Sequence, residues 1–141
     1  MKQTKSPTYI SDQRYHEEQL IKGFVEPSRH ERFIEFLASP RKRSKFTQEL
    51  AHRKTRFLNS KTLMPIPAKQ QDPTSIFSLL QQLGAPSKCY VVSEGPLDGQ
   101  EIGLLDALDE VVGRGMGTIL SCVPGRLAYF ESEDERYILR R

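Results

Sequence analysis

The sequence predicts an α+β fold: an N-terminal helical segment of about three helices, then a small four-stranded mixed sheet with helices on one face. Three observations predict it. Apolar residues recur at helical intervals through residues 12–57. Pro65, Pro67 and Pro73 then interrupt the pattern. Beyond residue 88, short runs rich in β-branched and aromatic residues alternate with turn signals. Residues 1–62 read as a basic helical segment, 63–73 as a Pro-containing connector and 74–141 as a small α/β sheet domain. The 141 residues also suit one compact domain overall.

The first helix is expected over 12–24, where Tyr15, Leu20, Ile21 and Phe24 fall along one side. For the second, Ser28 and Glu31 have capping-box spacing behind Pro27, and Phe33, Phe36 and Leu37 supply the apolar stripe, widened by Ile34. The third is expected to start with Ser39 as N-cap and Pro40 in its first position, with Phe46, Leu50 and Phe57 sharing a face. "MPIP" reads as extended connector.

In the second half, a helix capped at Asp72 carries Ile76, Phe77, Leu79, Leu80 and Leu83, and Gly84 stops it. "KCYVVS" at 88–93 is a strand, "EGPLDGQ" a loop and 101–113 an amphipathic helix ended by Gly113. Strands follow at "GTILSCV", "RLAYFE" and "RYILR", with turns at "PG" and "SEDE". A β-α-β crossover implies that 88–93 and 118–123 run parallel if they share a sheet.

The charge pattern is uneven. Residues 1–62 hold 14 Lys/Arg against 7 Asp/Glu, a net of +7, whereas 63–141 hold 7 against 11, a net of −4. Within 41–61 there are eight cations and one acid, Glu49. Arg41, Lys42, Arg43 and Lys45 crowd the expected start of the third helix, where the dipole disfavours positive charge. Three explanations compete: an external polyanion, an acidic surface on the same chain, or solvation of long side chains whose stems cover apolar rims. On one continuous helix, Arg41, Lys45, His52 and Arg56 fall within about 60° of one another and form a ridge about 22 Å long. Arg53 and Lys54 flank the apolar side. Arg41, Lys42, Arg43, Lys45, His52 and Arg56 are therefore the candidate nucleic-acid or anion-binding residues, although no base-stacking aromatic accompanies them.

A second candidate lies in the 93–101 loop, where Ser93, Glu94, Asp98 and Glu101 would border a pocket beyond a strand end. Paired carboxylates can serve as acid and base. The second half contains no histidine, however, and turn residues explain the loop equally well. "GRGMG" at 113–117 closes a helix and opens a strand, the reverse of a phosphate loop. Glu49 and His52 have helical di-iron spacing without a second copy. His16-Glu17 lacks the second histidine of a zinc-protease helix, and His30 reads as a half-buried structural histidine.

No apolar run reaches membrane-span length, and the first residues lack the apolar core of a secretory signal. Cys89 and Cys122 sit in apolar runs and read as buried free thiols of a cytoplasmic protein. The expected role is non-enzymatic: a small interaction or regulatory protein presenting a basic helix to a protein partner or a second copy. Nucleic-acid binding is the alternative, and a small enzyme with an acidic pocket at 93–101 is the second alternative. No metal, cofactor or membrane association is expected.

Overall fold

The computed structural model describes the backbone of residues 5–52 and 56–141, with side chains described from Gln13 onward within those ranges. The chain is α+β. It has five α-helices among the described residues: α1 (Lys5–Phe24), α2 (His30–Ala38), α3 (Arg43–His52), α4 (Pro73–Gln82) and α5 (Leu104–Val111). Its six strands are β1 (Leu63–Pro65), β2 (Lys88–Ser93), β3 (Glu101–Gly103), β4 (Thr118–Val123), β5 (Leu127–Glu131) and β6 (Arg136–Arg140). They form one sheet in the order β1-β6-β5-β4-β2-β3, antiparallel at every pairing.

Three expectations about the sheet are corrected. It has six strands rather than four, because both additional strands are three-residue edges. β1 arises from "LMP" in the expected connector, and Leu63 pairs with Leu139 of β6. β3 occupies the expected start of the fifth helix, and Ile102 pairs with Cys89. β3 also reverses the chain before α5, so the helix delivers β4 antiparallel to β2 rather than parallel.

The third correction is that helices cover both faces. Leu20, Phe24, Phe33, Phe46 and Leu50 of α1–α3 pack with Tyr90, Val92, Ile119, Phe130 and Leu139. Ile76, Leu80, Leu104, Leu108 and Val111 of α4–α5 pack with Cys89, Val91, Leu120, Tyr129 and Ile138. Consecutive strand residues thus divide between two cores, as the period-2 alternation of a strand requires. Within the α1–α3 core, the Phe33 ring meets Phe46 and Phe57 edge-on, at 5.2 Å in each case.

Helix starts also differ from expectation. α1 begins at Lys5 rather than near residue 12. Pro27–Arg29 form a 3-10 turn, so Ser28 does not cap α2. Ser39 is extended, as the residue ahead of a proline tends to be. Its carbonyl accepts from the N–H groups of Lys42 and Arg43, closing a turn, and regular helix begins only at Arg43. Asp72 does cap α4, its carboxylate accepting from the Ser75 N–H at 3.0 Å.

Candidate functional site

Arg43 is the junction of the helical layer. It opens α3, and its guanidinium points inward. Nε and Nη2 donate to the two carboxylate oxygens of Asp98 at 2.6 and 3.1 Å. Nη1 lies 2.6 Å from Oε2 of Glu17 on α1 and donates to the Leu37 carbonyl of α2 at 3.2 Å. Glu17 also accepts from the Tyr90 hydroxyl at 2.5 Å, and the His16 ring stacks on Tyr90 with centroids 5.3 Å apart. One side chain therefore ties three helices to the 93–101 loop. Burial alone would lower the Arg43 pKa, but hydrogen bonding to Asp98 and attraction to Glu17 and Asp98 outweigh it and raise the value. Burial, reinforced by Glu17, raises the Tyr90 pKa as well.

The four loop candidates are brought near this network and given separate roles. Asp98 binds Arg43 and also accepts from the Ser93 N–H at 2.9 Å. Ser93 Oγ lies 2.8 Å from Thr118 Oγ1 and accepts from the Gly95 N–H. Glu94 is exposed and accepts from the Gly117 N–H at 3.0 Å, while Glu101 is exposed on edge strand β3. A cleft of about 100 Å³ beside them is lined mainly by Gly95, Pro96, Leu97, Val111 and Met116, with Glu110 and Arg114 at its side.

"GRGMG" receives a carboxylate from within the chain. Gly113 and Gly115 both have positive φ, which turns their N–H groups toward Glu131. Those groups donate to its two oxygens at 3.0 and 2.7 Å, and the Tyr129 hydroxyl donates at 2.6 Å. Arg136 Nε stands 3.7 Å away. Glu131 is 1% exposed, and these groups satisfy its carboxyl oxygens in place of water.

The candidate cations divide. Arg41 and Lys42 lie in the turn before α3, Lys45 and His52 on the helix, and Arg56 in the turn leading to Phe57. The continuous ridge from Ser39 is therefore replaced by a ten-residue helix with turns carrying the other cations. Arg53 and Lys54 lie outside the described residues. His52 Nδ1 stands 3.0 Å from Glu133, and Lys42 stands 3.8 Å from Glu35. Arg41, Lys45 and Arg56 are exposed.

Sequence reasoning missed the contribution of α2. α2 and α3 form a helical hairpin, and its outer groove is bordered by cations from both helices. Arg29, Glu49, Arg56 and Phe57 line a cleft of about 330 Å³ at one end. At the other, Arg32 and Lys45 approach the Phe36 ring at 5.2 and 5.8 Å. Arg29 and Arg32 are three residues apart, and so lie on one side of the chain entering α2. The spacing of Arg29 and Arg32 beside Phe33 and Phe36 was the available signal. His30 is half-buried, its Nε2 2.6 Å from the Val25 carbonyl oxygen.

Compared with known proteins, the chain matches no family model, no curated protein and no solved structure.

Proposed function

We propose that the chain is a non-enzymatic interaction protein that uses the cationic groove between α2 and α3 to dock an acidic protein surface. The observation that supports this most is an open cleft of about 330 Å³ lined by Arg29 and Arg56 with Glu49, on the same helical hairpin that carries Arg32 and Lys45 over the Phe36 ring. Folding does not use these cations as it uses Arg43: each remains exposed. A guanidinium-lined groove suits carboxylates, which it can bind through paired N–H donors. The aromatic rings at this groove, Phe33, Phe36, Phe46 and Phe57, are buried, and the exposed Tyr15 lies on α1. Nucleic-acid bases would thus find cations but no stacking surface, which favours a protein partner.

The test is fluorescence anisotropy with a labelled oligoglutamate peptide and with RNA and DNA oligonucleotides of matched charge, at two salt concentrations. Oligoglutamate is expected to bind, more weakly as salt rises. R29E/R56E is expected to weaken binding at least about tenfold at low salt. Unaltered binding by that variant rejects the groove. Tighter binding of either oligonucleotide, lost in the same variant, replaces the protein partner with nucleic acid.

A further inference from the structure

We infer that the partner is a second copy of this chain, whose α5 seats its acidic outer face in the α2–α3 groove. This rests on the reading of the groove as a binding surface. The groove belongs to the layer packed on one sheet face, and α5 belongs to the layer packed on the other. With about 10 Å between packed layers, the two helical layers stand roughly 20 Å apart. The Debye length is about 8 Å at physiological ionic strength. The acids of α5 therefore do not neutralise the groove within one molecule, whereas two molecules can bring the surfaces together.

α5 has the features of an occupant. Leu104, Ala107, Leu108 and Val111 are buried, and Leu105, Asp106, Asp109 and Glu110 are exposed on the opposite side. The helix has no cation within Leu104–Val111, and no ion pair joins Asp106, Asp109 or Glu110 to another described residue. Leu105 is one of two large apolar side chains exposed among the described residues. It stands four residues before Asp109, so an apolar contact and a carboxylate share one side of the helix. The groove offers cations to meet them: Arg29 and Arg56 line its cleft together with Glu49, over the buried Phe57. Small exposed acids then meet long, flexible cations, and neither helix core has to open.

The two surfaces differ, so the contact is heterologous. Each molecule offers one groove and one α5, and association continues head to tail unless the geometry closes a ring. Because the contact is charge-driven, it weakens with salt.

Sedimentation velocity of the full chain tests this. At about 0.3 mM protein and low salt, where micromolar contacts are populated, the weight-average mass is expected to reach at least twice the 16.2 kDa of one chain. At about 0.5 M salt it is expected to return to one chain. R29E/R56E and D109K/E110K change exposed side chains, and circular dichroism checks that both fold. Each is expected to be monomeric alone, because each lacks one of the two surfaces. Mixed one to one, the variants are expected to associate, since the first retains α5 and the second retains the groove. A wild-type chain that stays monomeric at low salt overturns the inference, as does a mixture that fails to associate. Oligoglutamate anisotropy on the same samples separates the two proposals. Groove-dependent peptide binding by a monomeric chain leaves the groove reading standing and removes only self-association.

Discussion

At the scale of single residues, Arg43 carries the largest local consequence. Glu17 and Asp98 approach one guanidinium from two elements, Glu17 nearly buried and Asp98 half-buried. Replacing Arg43 with Met leaves both without their cation, and breaking a buried pair in this way costs about 3 kcal/mol. Urea unfolding of R43M measures it; a change below about 0.5 kcal/mol, ordinary for a solvated surface cation, contradicts the assignment. A second residue-scale prediction concerns alkaline pH. Burial pushes the Cys89 thiol up to about 12 and raises the Cys122 thiol; burial with nearby Glu131 raises the Tyr129 phenol, as burial with Glu17 does for Tyr90. In the unfolded chain thiols titrate near about 8.5 and phenols near about 10. Above those values the unfolded state sheds protons that the folded state keeps, so stability is full below them and falls as pH rises toward the folded values. The slope reaches about 1.4 kcal/mol per pH unit for each group. Urea midpoints should therefore drop between about pH 8 and pH 10.5, and a constant midpoint contradicts the burial described. The Arg43 network was partly legible in the sequence. Glu17 lies three and four residues before Leu20 and Ile21, on the apolar side of its helix, so it needed a partner. Nothing local in the sequence identified that partner as Arg43, 26 positions away.

At the scale of elements, the seat of α3 on the sheet is a close joint. Gly117 precedes β4, and a Cβ there would stand 2.5 Å from the Thr47 carbonyl oxygen and 2.5 Å from the Ala51 nitrogen. Both obstacles are helix backbone, which does not yield as a side chain would. G117A is expected to destabilise by about 2 kcal/mol or more, measured by thermal or urea unfolding, and a neutral effect contradicts this packing. The cap of α4 gives a smaller test. D72A removes the hydrogen bond to Ser75 and should cost about 1 kcal/mol. Asp72 was legible because cap, proline and apolar stripe all agree at one position. The edge strands were not, since three residues carry too little pattern to separate a strand from a loop or helix start. Helices on both sheet faces were legible in principle. "CYVV", "TIL" and "AYF" are apolar at successive positions, which a strand exposed on one face would not be. The turn at Ser39–Lys42 was obscured because an N-cap and a helix C-terminus before proline share the same residue types.

At the scale of the whole molecule, the uneven charge of the sequence becomes a separation across the sheet. Part of the basic excess is spent internally, on Glu17 and Asp98, which accounts for Arg43. The cations bordering the α2–α3 groove remain outward, and the acids of α5 lie on the far layer. The candidate surface was thus half legible: Lys45 and Arg56 were in view from the sequence, whereas the spacing of Arg29 and Arg32 marked one side of α2 without showing that it folds back beside α3. The most direct measurement is amide chemical-shift mapping of the isotope-labelled chain during oligoglutamate titration. Shifts are expected to concentrate at residues 29–36, 45–52, 56 and 57 and to fade with added salt. Shifts concentrated at the 93–101 loop or at residues 131–136, with the groove unmoved, would contradict it.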